Sequence, residues 1–360
     1  MVEKNEQKGS ACKIGLARLG WDDEFAKDIS EEDLRQYGLA RVFGVHKTSL
    51  DIRGVDLDGN EISQTIFPPK VHNTARVARA TVGDWLLVDN EGSSYASILE
   101  RKSLFKRRAA GHSKEVQLIA ANIDTLFIVT SCNQDFNIAR LERYLALAYD
   151  ADVEPVIVLS KADLVQDYAE YKTQIDALNL NCQVLSFDAR TQEAANALMP
   201  WCRLGETIAF VGSSGVGKST LVNALASNNI AHTSIVREGD GKGRHTTTHR
   251  ELYTLASGAL VLDTPGMREL QITDVASGLE NVFADIVAYS HQCKFSDCAH
   301  EHEPGCSILK AIEDGALDGA RVARWQKLVA EDQFNTQALN ERSHKDKKLG
   351  KQMRGFNKRK

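Results

Sequence analysis

Between Leu39 and Leu99 apolar residues recur in short runs separated by turn residues: LARVFGVH, SLDIRG, EISQTIF, DWLLVD and YASIL. Runs of this length and composition predict strands, and Asp58-Gly59-Asn60 predicts a hairpin between two of them. Five such strands in about sixty residues predict a small β-barrel, best matched by an OB-fold. From Val116 the pattern changes. TLFIVT (125–130), PVIVLS (155–160), ETIAFV (206–211) and ALVL (259–262) are nearly continuous apolar runs, as expected of strands buried on both faces. They alternate with helical patterns: IARLERYLALAYD (138–150) repeats Leu141, Tyr144, Leu145 and Ala148 at helical spacing, and VGKSTLVNALA follows the third strand. Such alternation predicts a mostly parallel sheet with its ligand at the carboxyl ends of the strands. Towards the C-terminus Val322, Trp325, Leu328 and Val329 form one apolar stripe of a core helix. Residues before 39 read as a polar, partly helical lead-in with no assignable chemistry.

A chain of 360 residues with 42% hydrophobic residues has room for two or three domains. No segment has the apolar length of a membrane span, and the start, MVEKNEQKGSACKIG, has no apolar core. No signal peptide and no membrane partner are expected, and the location is expected to be cytoplasmic. The net charge of −5 conceals an asymmetry: residues 343–360 carry eight Lys/Arg against one Asp, about +7, which leaves about −12 for the rest. A basic tail on an acidic body fits a polyanionic partner, or a solvated tail. Residues 101–108, RKSLFKRR, read as a linker or as a basic seam beside a nucleic-acid-binding barrel.

The strongest local signal is Gly212-Ser213-Ser214-Gly215-Val216-Gly217-Lys218-Ser219, placed between a strand and a helix. Glycines there let backbone N–H groups turn onto phosphates at a helix N-terminus. Lys218 would reach the β/γ oxygens, Ser219 would bind Mg²⁺, and Thr220 lies near the α-phosphate. Ser160-Lys161-Ala162-Asp163 chooses the base. A carboxylate at Asp163 can accept both N1–H and the exocyclic amine of guanine, whereas adenine leaves it unsatisfied. This points to GTP/GDP and away from an ATP-dependent kinase. The motif ordinarily begins with Asn; Ser160 has a shorter reach, which predicts weaker guanine binding. Ser186, after Val184-Leu185, is the expected base-side turn. In Asp263-Thr264-Pro265-Gly266, Asp263 would hold Mg²⁺ through water and the Gly266 N–H would meet the γ-phosphate. The loop GDGKGRHTTT (239–248) offers Thr246, Thr247 or Thr248 to Mg²⁺, with Thr247 favoured. Met267 stands where many GTPases place a water-orienting Gln. Unassisted hydrolysis is therefore expected to be slow, with His245 the nearest catalytic candidate. The base motif precedes the phosphate loop by about fifty residues, the reverse of the ordinary order.

Cys293, Cys298, His300 and Cys306 offer three thiolates and an imidazole within fourteen residues, a donor set for one closed, tetrahedral, structural Zn²⁺. His302 and His291 are alternative ligands, and Pro304-Gly305 supplies the turn that returns Cys306.

These motifs, together with AANIDTLFIVTSCNQDFNIARLERYLALA (120–148), GRHTTTHRELY (243–253), DTPGMREL and CKFSDCAHEHEPGC, resemble the RsgA (YjeQ) family of circularly permuted bacterial GTPases. The resemblance implies an OB-fold barrel, an α/β circularly permuted P-loop GTPase domain and a small, mainly helical zinc-binding C-terminal domain. It also implies binding to the small ribosomal subunit and its rRNA late in maturation, with GTP hydrolysis stimulated by that subunit. The family lacks the Gln that Met267 replaces, but it carries Asn where this chain has Ser160. The expected organisation is a lead-in (1–38), barrel (39–108), GTPase domain (113–275), zinc domain (276–342) and basic tail (343–360), in a monomer. A non-catalytic rRNA-binding scaffold that uses GTP as a structural ligand is the alternative.

Overall fold

The computed structural model describes residues 15–27, 29–69, 79–89, 93–108, 116–165, 168–178, 180, 182–226, 250–263 and 272–337. They form two compact units. One comprises Met1–Lys106, Leu118–Asn137 and Asp152–Leu270; the other comprises Arg107–Gln117, Ile138–Ala151 and Gln271–Lys360.

In the first unit the five predicted short strands are β1 (Gly38–Val45), β2 (Leu50–Val55), β3 (Glu61–Ile66), β4 (Trp85–Val88) and β5 (Tyr95–Ile98). All pairings among them are antiparallel, in the order β5-β4-β1-β2-β3. The β2–β3 turn is the predicted one, with Gly59 at φ 78° and its N–H donated to Asp56 O at 3.0 Å. Phe67 N–H donates to Ser93 O at 3.1 Å, and the Ser94 hydroxyl donates to Phe67 O, which draws the end of β3 against the approach to β5. Side chains alternate along the strands. Ala40, Val42, Leu50, Ile52, Ile66, Leu86, Val88 and Tyr95 make an inner core. The opposite faces of β1 and β4 are buried as well. Leu39, Val55, Trp85 and Leu87 pack against Leu16 and Phe25 of the lead-in, with Trp21 edge-on to Trp85 at 4.9 Å.

Arg41, on β1, fastens this layer. Its guanidinium is fully buried and donates to the carbonyls of Leu19 (2.7 Å), Gly83 (3.1 Å) and Asn122 (2.8 Å). Burial pulls its pKa down to about 10, against the pull of Asp124 and Asp84.

The α/β part supplies β8 (Thr125–Ser131), β9 (Glu154–Ser160), β10 (Gln183–Phe187), β11 (Thr207–Val211), β12 (Arg250–Thr254) and β13 (Leu260–Asp263). Their order is β10-β9-β8-β11-β13-β12. The first five run parallel, and only β12 is antiparallel to its neighbour. Phe127 stacks on Phe210 at 5.0 Å in the core beneath the sheet's central strands. β12 also pairs with β1 through Gly44↔Glu251 and Val45↔Arg250, so one hydrogen-bonded path runs from the α/β sheet into the barrel strands. RKSLFKRR is not a linker: it enters β6 (Leu104–Arg108), which pairs with β7 (Val116–Ala121) as a separate two-stranded ribbon.

The second unit contains the predicted helix α1 (Ile138–Asp150), together with α2 (Ala276–Val282), α3 (Ala284–Ser290), α4 (Ser307–Glu313) and a C-terminal helix, α5, over 319–337. Gly278 lets α2 approach α1 closely, since a Cβ there would lie 1.9 Å from Ala146 O. Glu142 of α1 is fully buried. It accepts from Arg324 Nε at 2.7 Å and Arg321 Nη1 at 3.4 Å, while Arg321 also pairs with Asp285 and donates to Val282 O. Arg143 and Glu331 form a bidentate pair at 2.5 and 2.6 Å.

Candidate nucleotide site and metal centre

Because β8, β9, β10, β11 and β13 run parallel, their carboxyl ends lie along one edge of the sheet. Ser160 ends β9, Asp263 ends β13, and Gly212 directly follows β11. Motifs scattered over about a hundred residues of sequence therefore share one edge, in spite of their order along the chain.

Gly212 has φ 138°, and a Cβ there would lie 2.1 Å from Val129 O, so the loop leaves β11 only with glycine at this position. Lys218 opens the helix Lys218–Ala226, and its Nζ donates to the carbonyls of Gly212 (2.8 Å) and Ser213. Ser214 and Gly215 are exposed at the tip of the loop, Gly217 is half-buried at its end, and Ser219 and Thr220 occupy the helix's first turn. The Ser213 hydroxyl donates to Asp135 Oδ2, in the loop after β8. Nothing in the sequence pattern singles out Asp135.

Ser160 is fully buried. Its hydroxyl lies 2.6 Å from Val216 O and 3.1 Å from Thr130 O. One hydroxyl proton serves one of these at a time, and the shorter contact ties the end of β9 to the phosphate-type loop. Lys161 follows in the left-handed region (φ 58°, ψ 29°) and starts the 3₁₀ turn Ala162–Leu164, which carries Asp163. Asp163 Oδ2 accepts from Arg190 Nη2 at 2.7 Å.

Ser186 lies inside β10, in register with Leu159; the strand continues to Phe187, opposite Ser160. The turn at the sheet edge is therefore Asp188–Thr191, two residues beyond the expected position. Ala189 is the residue of this turn that packs towards the loop: its Cβ would be 3.6 Å from a Cβ at Gly217. His245, Thr247 and Gly266 lie outside the described residues, as does the side chain of Asp263.

In the second unit, one ligand atom each from Cys293, Cys298, His300 and Cys306 falls within 4.8 Å of all the others. Cys293 Sγ lies 3.9 Å from Cys306 Sγ, and each of these sulfurs lies 3.5 Å from His300 Nδ1. His302 and His291 are not part of this cluster. Burial raises the Cys293 thiol, but backbone N–H groups of Ser307 and Ile308 and the neighbouring thiols bring it below its ordinary value. Burial and the neighbouring thiols of Cys306 and Cys293 push Cys298 up to about 11. Three thiolates side by side repel one another, so full deprotonation requires a cation among them; the cluster can hold a metal ion. Glu303 braces the connecting loop. Its carboxylate accepts the N–H groups of Ala299 and Glu301 at 2.9 Å and of His302 at 3.1 Å, which hold its pKa down to about 2.

Residues 98–273 match the family model described as RsgA GTPase. The chain is 44% identical over 336 residues to the small ribosomal subunit biogenesis GTPase RsgA 2 of Vibrio parahaemolyticus, covering 93% of this chain and 91% of that protein. It is 46% identical over 330 residues to the small ribosomal subunit biogenesis GTPase RsgA of Mesorhizobium japonicum, covering 91% and 92%. The chain belongs to the RsgA GTPase family. Among solved structures, YjeQ from Thermotoga maritima superposes with a TM-score of 0.57 at 24% identity, over 82% of this chain and 98% of that one, which is a likeness of fold. The RsgA relationship covers the five antiparallel strands, the sheet edge that carries the glycine-rich loop and the Cys/His cluster alike. No helix among the described residues is long and apolar enough to cross a membrane.

Proposed function

We propose that this chain is a cytoplasmic, monomeric GTPase that binds the small ribosomal subunit late in its assembly, hydrolyses GTP on contact and then leaves. The observation that carries the nucleotide half is the Ser160–Val216 tie, which joins the base motif to the phosphate loop at one sheet edge. The relatives' role in small-subunit biogenesis carries the partner half.

In this reading the loop Gly212–Ser219 and Thr220 cradle the phosphates. Lys218 exchanges its bonds to Gly212 O and Ser213 O for bonds to β/γ oxygens. Asp163 reads the guanine edge, Lys161 and Ala162 flank the base, and the turn at Ala189, not Ser186, faces it. Ser219, Asp263 and Thr247 would hold Mg²⁺, which would neutralise charge on the phosphates. With Met267 in the place of a water-orienting Gln, His245 or a group from the subunit positions the attacking water.

The four-donor cluster takes one structural Zn²⁺. A tetrahedral ion with Zn–S of about 2.3 Å and Zn–N of about 2.0 Å sets its donors about 3.5–3.8 Å apart. The separations among Cys293, Cys306 and His300, 3.5–3.9 Å, match that geometry, and Cys298 completes the set within 4.8 Å. The five antiparallel strands are an OB-fold. They hold rRNA together with the basic residues of 101–108 and 343–360, mainly through phosphates. Sedimentation of the protein with purified small subunits tests the partner: co-sedimentation with a non-hydrolysable GTP analogue and weaker retention with GDP are expected. Equal retention in both states would count against a GTP-operated cycle.

A further inference from the structure

The turn after β10 carries a charge arrangement that the nucleotide motifs do not explain. Arg190 donates through Nη2 to Asp163 Oδ2 at 2.7 Å. Through Nε and Nη2 it also grips both oxygens of Asp188 at 2.9 Å. Asp188 further accepts the backbone N–H of Arg190 at 2.9 Å. The Arg190 side chain is 67% exposed, yet the carboxylates it joins are only 28% and 22% exposed. Asp188 anchors the guanidinium; its own pKa is held below the carboxylate range by Arg190.

We propose that Arg190 is a specificity-determining residue for the base, acting by fixing the carboxylate plane of Asp163. The proposal rests on the reading of Asp163 as the guanine-binding carboxylate. The terminal torsion of an aspartate is broad, so its own backbone does not set the plane of the two oxygens. Among the described residues it is Arg190 that donates to the Asp163 side chain. A carboxylate has about four acceptor positions. Two serve N1–H and the exocyclic amine of guanine, and one of the others is free for Arg190. Making both base contacts at once requires a fixed plane; making one does not. Arg190 also lies between two like charges that would otherwise repel each other at the base edge. An uncharged methionine at this position removes both effects while keeping much of the side-chain length.

The test uses the full-length protein at fixed low salt, with GDP and with inosine diphosphate, which lacks the exocyclic amine. Arg190→Met is expected to weaken GDP about two- to fivefold, the scale of one exposed ion pair, and to leave inosine diphosphate nearly unchanged. The ratio of the two affinities therefore contracts. Asp188→Asn, which loosens the anchor, is expected to shift the ratio the same way by a smaller factor. Unchanged or tighter GDP binding by Arg190→Met, or an equal loss for both nucleotides, would overturn the proposal. Asp163→Asn with xanthosine diphosphate separates the two readings. Failure of that variant to move preference from guanine to xanthine would defeat the assignment of Asp163 itself, whatever Arg190 does. Thermal unfolding of each variant confirms that the comparison is between folded proteins.

Discussion

The hydroxyl of Ser160 lies 2.6 Å from the carbonyl oxygen of Val216, so the base motif and the phosphate-type loop are joined by one buried hydrogen bond. Serine is shorter than the asparagine that ordinarily opens this motif, and here the loop comes within its reach. Ser160→Ala would leave the Val216 carbonyl without this partner. A loss of about 1–2 kcal/mol of folding stability is expected, with weaker binding of GTP and GDP alike as the loop loosens from β9. Titration with fluorescent guanine nucleotides measures it, and unchanged affinity would show that the tie is dispensable.

Arg41 sets how firmly the lead-in is held. Its three carbonyl partners belong to the lead-in, to the turn before β4 and to the segment after β7. Arg41→Met takes the donor from Asn122 O and Leu19 O, while Gly83 O keeps the Asn122 side-chain amide at 2.9 Å, so destabilisation of about 1–3 kcal/mol is expected. Trp21, packed edge-on to Trp85, should become more solvent-exposed in the same variant. Denaturant titration followed by tryptophan fluorescence reports both effects.

Glu142 is a fully buried acid of the second unit, and Arg321 and Arg324 both donate to it. Glu142→Ala takes the carboxylate from Arg324 and leaves Arg321 with Asp285 and Val282 O, and should cost about 3 kcal/mol. Exchanging Glu142, Arg321 and Arg324 together for apolar residues should cost much less, because a buried charge without its partner is worse than no charges. Equal destabilisation by the single and the triple variant would contradict this assignment.

Metal content offers a separate check. The purified protein should contain about one zinc per chain, and Cys306→Ser or a strong chelator should lower its melting temperature. Glu303→Gln keeps all four donors but loses the charge that gathers three N–H groups, so slower metal uptake and faster loss are expected. Full stability after complete zinc removal would refute a structural role.

Features with strict local requirements were legible in the sequence. Gly212 and its loop need backbone that only glycine supplies, and metal donors need Cys and His at close spacing. The barrel and sheet strands followed from runs of apolar residues. What escaped detection depends on tertiary partners. Arg190 is an exposed arginine that reads as a solvated side chain until Asp163 and Asp188 are seen beside it. Trp21 and Phe25 have no periodicity, so their packing on Trp85 left no pattern. Glu142 is an acidic letter among the apolar positions of its helix, and its burial is intelligible only once two arginines arrive from a segment about 180 residues away. The expected Ser186 turn fell two residues short, because apolar spacing does not fix where a strand ends.

Multiple-turnover GTP hydrolysis, with and without purified small ribosomal subunits at one fixed, low salt concentration, tests most directly whether the chain is a subunit-triggered GTPase. Slow turnover alone and stimulation of about tenfold or more by subunits, abolished in Lys218→Ala, are expected. Slow turnover that subunits do not raise, from protein that still binds them, would contradict that role and would point to a factor for which GTP is a structural ligand.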